Sequence, residues 1–433
     1  MKRVFAFLNT SLMQHFLAVA GAGVSRLSTL ILLLLGSQVM LPDEFGIFAL
    51  LFMISGMISA IVSGGGDMWL NQFTRYHSAS EGKSPFVSKY YLIISGNLGL
   101  FFVVSSVLAI ILSIPLLGTT TQVIGFALLY GTICGINEAF LAILRTTNRV
   151  SHFFIIRDLF LPLLLTSLVI LLKISNVRDF FAISSGIFGA FSLCMLAFFI
   201  KHEEVYIPKN KRLKFKMTSF FSYTFALIAN NLSSRLAAGL DSIVLTFFIP
   251  LSILGHYRLC TQLANGFIVV QHFVFLALPW HFHSSSDRLT RGAGIKEIHY
   301  RHKLLMLSAF PILIFLILFS KEFLSFLGPE AVSLQTAFIT ILFVRFCDIL
   351  WGPLHERLVS NGKIIEDIKA NILAILIWLF VFSLYLQNSS PVTAACIGVA
   401  CSSFSAQFLR YNILKKYKLI MPKPVVVSSS SNI

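Results

Sequence analysis

Lys201-His-Glu-Glu-Val-Tyr-Ile-Pro-Lys-Asn-Lys-Arg-Leu-Lys-Phe-Lys216 is the longest basic segment of the chain and lies near its middle. The 433 residues around it are 56% hydrophobic and 12% charged, whereas a soluble domain is about 25% charged. On either side, apolar runs follow one another at about the 20 residues a helix needs to cross a bilayer. Six precede the segment, at roughly 14–39, 45–66, 90–113, 121–144, 154–172 and 180–200. Six follow it, at roughly 218–248, 253–279, 304–319, 332–354, 370–387 and 392–410. The expectation is an all-α polytopic membrane protein of about 12 transmembrane helices. Its parts would be a six-helix lobe over 1–200, a basic linker over 201–216, a second six-helix lobe over 217–412 and a tail over 413–433.

The charges between the runs set the orientation. Of 34 Lys and Arg, 27 fall at the two termini and in alternate loops, and only Lys173, Arg178 and Lys321 fall in the other loops. Cytoplasmic loops carry the excess of Lys and Arg, so both termini are expected in the cytoplasm. The net charge of +16 does not point to nucleic acid. It is spread over loops such as 288–303 and forms no compact basic domain; orientation and contact with membrane lipid headgroups account for it. The apolar run after Lys2-Arg3 continues through Val39, too long for a signal-peptide core. Six cysteines sit within apolar runs without CxxC spacing, so no disulfide and no metal site are expected. His281 and His283 read as interfacial packing rather than metal ligands. The absence of a Walker A loop and of a dinucleotide fingerprint predicts no cofactor.

The two halves resemble each other. Residues 20–50 slide onto 229–259 without a gap: Ser25-Arg26-Leu27 meets Ser234-Arg235-Leu236, Gly46 meets Gly255, Phe48 meets Tyr257 and Leu50 meets Leu259. Trp69 and Trp280 end the second and eighth runs on the inside, where tryptophans anchor. Six helices returning to the same side make the halves parallel repeats, and carriers built this way hold substrate between the repeats. The expectation is two pseudo-symmetric lobes around a central cavity.

Four arginines, Arg26, Arg235, Arg258 and Arg345, lie inside the runs. Each costs about 2.5–3.5 kcal/mol on insertion scales, so they belong against a hydrated cavity. A guanidinium grips phosphate through paired hydrogen bonds, which favours an anionic substrate over a cationic one. The competing reading is structural: Arg345 and Asp348, three apart, form a helix-face ion pair. Glu138, Asp241 and Asp348 are buried acids that either balance charge or carry a coupling H+ or Na+. Gly131-x-x-x-Gly135 reads as close helix packing.

Leu41-Pro-Asp-Glu-Phe-Gly-Ile-Phe-Ala-Leu50 resembles the turn after the first helix of bacterial polysaccharide flippases, with Pro42 where Gly is common. Asp241-Ser-Ile-Val-Leu-Thr-Phe-Phe-Ile-Pro-Leu-Ser-Ile-Leu-Gly-His-Tyr257 resembles their seventh helix and its turn, and Gly64-Gly-Gly-Asp-Met-Trp-Leu-Asn-Gln-Phe-Thr-Arg75 the end of their second. The chain thus looks like the polysaccharide transporter family of the multidrug/oligosaccharidyl-lipid/polysaccharide exporter superfamily. That resemblance implies a flippase of the bacterial inner membrane, not an enzyme. It would carry an undecaprenyl-pyrophosphate-linked oligosaccharide, such as an O-antigen unit of lipopolysaccharide biosynthesis, from the cytoplasmic to the periplasmic leaflet. A polysaccharide polymerase and a chain-length regulator would be partners. Two alternatives stand beside it: a cation-coupled drug exporter of the same superfamily, and an integral-membrane polysaccharide polymerase or ligase. Short outside loops, the longest at Leu172–Phe180 and Ser320–Ser333, argue against a periplasmic catalytic loop.

Overall fold

The computed structural model describes residues 28–63, 99–100, 103–107, 118–146, 160–172, 174–201, 217–275, 303, 306–307, 309–352 and 354–417. Trp69, Trp280, Gly64–Gly66, His281, His283, most of the central linker and the tail beyond 417 lie outside these residues. The described chain is α-helical, with no strand.

The first half contributes α1 (Ser28–Val39), α2 (Pro42–Val62), α3 (Gly118–Thr146), α4 (Leu161–Leu171) and α5 (Val177–Lys201). The second contributes α6 (Met217–Leu245) and α7 (Leu251–Phe275), then α8 (Ala309–Leu318). It continues through the short α9 (Ser320–Ser325) and α10 (Pro329–Ser333), α11 (Gln335–Trp351), α12 (Leu354–Ser360), α13 (Ile364–Leu386) and α14 (Pro391–Lys416). Among the described residues, five segments are long and apolar enough to cross a membrane: Pro42–Val62, Gln122–Leu141, Val177–Ala197, Ile364–Leu386 and Pro391–Lys416. Helices α6 and α7, of 29 and 25 residues, have the length as well, but their apolar sequence is broken by the polar residues discussed below. The protein is a multipass membrane protein. The segment 320–333, expected as an outside loop, is instead the helical pair α9–α10.

Local sequence explains the element boundaries. Helix α2 starts on Pro42 with Asp43 and Glu44 in its first turn; proline pre-sets the first helical dihedral and carboxylates meet the positive end of the helix dipole. Its counterpart α7 starts at Leu251, 209 residues on, so the repeat seen in sequence recurs in where the helices begin. Helix α3 lies against α2 through its small residues. A Cβ at Gly131 would stand 2.6 Å from the Ser55 carbonyl oxygen, and one at Gly135 2.8 Å from that of Ser59. Close backbone approach also lets Ser55 Oγ reach the Ala127 carbonyl at 2.8 Å. At the end of α2 nearer Pro42, Phe48 packs edge-on to Phe180 of α5 at 4.8 Å, and Phe180 edge-on to Phe181 at 5.2 Å. Such T-shaped pairs add about 0.5–1.5 kcal/mol beyond their buried area. In the second half, Gly398 of α14 rests on Trp378 of α13, which stacks on Phe382 at 4.8 Å. The two halves meet where α2 packs against α6 and α7.

Candidate functional site

Between α2 on one side and α6–α7 on the other lies a cavity of about 560 Å³, within the 300–1,000 Å³ typical of ligand sites. Arg235 of α6, Arg258 of α7 and Arg345 of α11 all line it. The structure therefore brings together the three of the four intramembrane arginines that fall on described residues. Arg26 lies outside the described residues, while Thr29, one turn later on the same run, lines the cavity.

The walls follow the internal repeat. Thr29 and Ala238, Ala49 and Arg258, Met53 and Gln262, and Gly56 and Asn265 are pairs 209 positions apart, and all eight residues line the cavity. Most equivalent positions carry opposite chemistry. Apart from Thr29, the first-half wall is apolar, with Leu33, Phe52 and Met57 joining Ala49 and Met53, while the second-half wall presents guanidinium and amide groups. On α7, Arg258, Gln262 and Asn265 follow i, i+4, i+7 spacing, which puts them on one helix face. Gln262 and Asn265 were not singled out in the sequence, because uncharged amides within an apolar run are unremarkable there; the i, i+4, i+7 register from Arg258 is the signal that finds them.

The three arginines differ in how far the protein satisfies them. Arg345 Nη1 donates to Asp348 Oδ2 at 3.0 Å, confirming the expected ion pair. Asp348 is further held by Ser403 Oγ at 2.6 Å and Gln407 Nε2 at 3.2 Å, while Arg345 Nε is buried without a partner among the described residues. Arg258 is 9% exposed, and its one hydrogen bond among the described residues is a 3.5 Å contact from Nη1 to Ser242 Oγ. A guanidinium carries five N–H donors, so most of those of Arg258 have no acceptor among the described residues. Asp241, the neighbour of Ser242, is itself buried and engaged: Tyr257 donates its hydroxyl to Oδ2 at 2.7 Å and the Ser242 amide donates to Oδ1 at 2.7 Å. Arg235 crosses to the other half, its Nη1 lying 3.2 Å from where a Gly56 Cβ would be. It makes no hydrogen bond or ion pair among the described residues, and Glu138 lies on α3. Guanidinium groups with few acceptors among the described residues, facing a largely apolar wall, are an arrangement that can hold an anion.

A second polar cluster, missed in the sequence, lies in the second half. Asp367, fully buried, receives Arg410 Nε at 2.8 Å and lies 2.6 Å from His355 Nδ1. Arg410 Nη2 also reaches Asn371 Oδ1, and Asn371 Nδ2 donates to Ser233 Oγ at 3.1 Å and Asn230 Oδ1 at 3.3 Å on α6. Arg410, at the end of the last apolar run, is 8% exposed inside the helical packing. The network ties α12, α13 and α14 to the helix that carries Arg235.

Residues 37–329 match the family of polysaccharide biosynthesis proteins, and the chain belongs to that family. Among curated proteins none matches significantly. Among solved structures, a MATE transporter in complex with MaL6 superposes with a TM-score of 0.68 at 12% identity, covering 94% of this chain and 96% of that one. A Vibrio cholerae MATE transporter gives 0.67 at 12% identity over 94% and 97%. An outward-facing multidrug resistance MATE family transporter of the MOP superfamily gives 0.65 at 11% over 94% and 96%. At these identities the likeness is one of fold.

Proposed function

We propose that this protein is a flippase that moves an undecaprenyl-pyrophosphate-linked oligosaccharide, an O-antigen or similar repeat unit, from the cytoplasmic to the periplasmic leaflet of a bacterial inner membrane. The observation that carries this reading is the convergence of Arg235, Arg258 and Arg345, from three helices, on one cavity whose opposite wall is apolar. The pyrophosphate and first sugars occupy the cationic side and the polyprenyl chain stays in lipid between the halves. Arg26, the repeat equivalent of Arg235, completes the cationic set from the first half. The rigid bodies are the lobes 1–200 and 217–412, joined by the linker 201–216, and they rock to give alternating access. Asp348 balances Arg345, Asp241 is engaged by Tyr257, and Glu138 on α3 is the carboxylate that carries a coupling H+ or Na+. Membership of a polysaccharide biosynthesis family supports a carbohydrate cargo, handed on to a polymerase and its chain-length regulator. The alternative of a drug exporter draws on the MATE fold, but a wall of arginines repels the cationic compounds such a site would bind. The reading is transport rather than bond making. Its test is deletion of the gene followed by analysis of lipid-linked intermediates. Undecaprenyl-pyrophosphate-linked units accumulating in the cytoplasmic leaflet support it, and unchanged intermediates refute it.

A further inference from the structure

Gly46 and Gly255, equivalent by the 209-residue repeat, stand at the same place in the first turns of α2 and α7. They also meet in space. A Cβ on Gly46 would fall 2.0 Å from the Leu251 carbonyl oxygen, and a Cβ on Gly255 would fall 3.1 Å from the Gly46 amide nitrogen and 2.6 Å from Phe45 Cδ1. The two helices therefore touch main chain to main chain, which glycine alone permits. Beside this crossing Phe45, fully buried, packs edge-on to His256 across the two halves, with ring centres 5.8 Å apart at 71°. His256 Nδ1 lies 2.9 Å from the Ser252 carbonyl and 3.1 Å from Glu330 on α10, so the outside helical pair braces the same turn. The first cavity-lining residues on α2 and α7, Ala49 and Arg258, come one turn further along each helix. The crossing thus caps one end of the cavity.

We propose that the Gly46–Gly255 crossing is the periplasmic gate of this cavity, closed by backbone contact and by the Phe45–His256 ring pair. No hydrogen bond or ion pair joins the first turns of α2 and α7 among the described residues, so parting them breaks only van der Waals and aromatic contacts. That suits a surface that must open and close in each cycle. The contact is also all-or-none at the glycines: a single methyl group at Gly46 already meets a carbonyl oxygen of the other half, and the helices must move apart to admit it.

This proposal rests on the carrier reading and its orientation, and its test separates the two. A reporter cysteine replaces Ala238, a cavity-lining residue, in the full-length chain with its native cysteines replaced. A membrane-impermeant maleimide is applied to intact spheroplasts and, separately, to inside-out vesicles. With both glycines in place, labelling from the periplasmic side stays low. Gly46→Ala, and more so Gly255→Leu, raise periplasmic labelling several-fold. Phe45→Ala, which weakens the seal without inserting bulk, gives a smaller rise in the same direction and guards against misfolding of the bulky variants. Membrane-inserted variants whose periplasmic labelling stays at the parent level overturn the gate. A rise confined to inside-out vesicles overturns its assignment to the periplasmic side and the orientation with it. Because labelling needs no cargo, a gate that opens in a protein that fails to flip lipid-linked sugar leaves the gate standing and refutes only the flippase.

Discussion

Tyr257 donates its hydroxyl to Asp241 across 2.7 Å, and this bond keeps occupied a buried carboxylate adjacent to Ser242, the hydrogen-bond partner of Arg258. Tyr257 and Arg258 are consecutive on α7, while Asp241 lies near the end of α6. The turn between the two helices therefore sets both the cation and the restraint on its counter-ion. Tyr257→Phe removes the donor and leaves a buried acceptor short of a partner. The expected outcome is that Asp241 turns to Arg258 and neutralises the cavity. Surface polysaccharide in a complemented deletion strain should fall, with protein abundance on immunoblots close to wild type. Tyr257→Phe together with Asp241→Asn should recover part of the loss, because the competing charge is gone.

The guanidinium at Arg235 has no acceptor among the described residues, and in the proposed function its donors serve the substrate. Arg235→Ala, and by repeat equivalence Arg26→Ala, should reduce surface polysaccharide strongly while membrane abundance is kept. Arg→Lys at either site preserves charge without the bidentate fork and should be partly active. Hydrogen bonds to a charged group contribute about 1.5–3 kcal/mol, which corresponds to roughly ten- to a hundredfold in apparent affinity. Alanine variants that are stable and fully active would remove these residues from the cavity's function.

Arg410→Ala tests the second polar cluster. It leaves Asp367 buried with only His355 and no fixed cation. Breaking a buried pair from one side costs about 3–5 kcal/mol, so the variant should unfold at lower temperature in detergent and be depleted from membranes. Arg410→Ala combined with Asp367→Asn removes the orphan charge and should restore much of the abundance. Equal depletion of the double variant would mean that the packing, not the charge, is what Arg410 supplies.

Gly135→Val addresses the α2–α3 contact. The Cβ alone would lie 2.6 Å from Val62 Cβ and 2.8 Å from a backbone oxygen, and overpacking of this kind costs about 1–3 kcal/mol. A lower melting temperature of purified protein is expected, with Gly189→Ala as a mild control, since its nearest neighbour is 3.7 Å away.

Much of this architecture was legible in the sequence because the membrane imposes simple rules. Run length marked the helices, and an intramembrane charge is costly enough that Arg235, Arg258 and Arg345 announced a polar interior. The gapless repeat joined Gly46 to Gly255, yet only the fold shows that the pair touches, since equivalence in a repeat says nothing about contact. The Asp367–Arg410 pair was illegible for a different reason. Both residues lie near the ends of apolar runs, where charges ordinarily belong to solvent, and their burial depends on how α13 and α14 pack. Gln262 and Asn265 carry no charge to set them apart; their alignment with Arg258 became meaningful once a cavity lay along that face.

The central claim is that the arginine wall binds the pyrophosphate of a lipid-linked sugar. Its most direct measurement uses purified protein in liposomes containing a fluorescent undecaprenyl-pyrophosphate-linked oligosaccharide, with transbilayer movement read by quenching of the exposed leaflet. Wild-type protein should move the lipid, and Arg258→Ala should slow it roughly ten- to a hundredfold at equal incorporation. Inorganic pyrophosphate should compete in the wild type. Movement at the wild-type rate by correctly incorporated Arg258→Ala and Arg235→Ala proteins, untouched by pyrophosphate, would contradict the account.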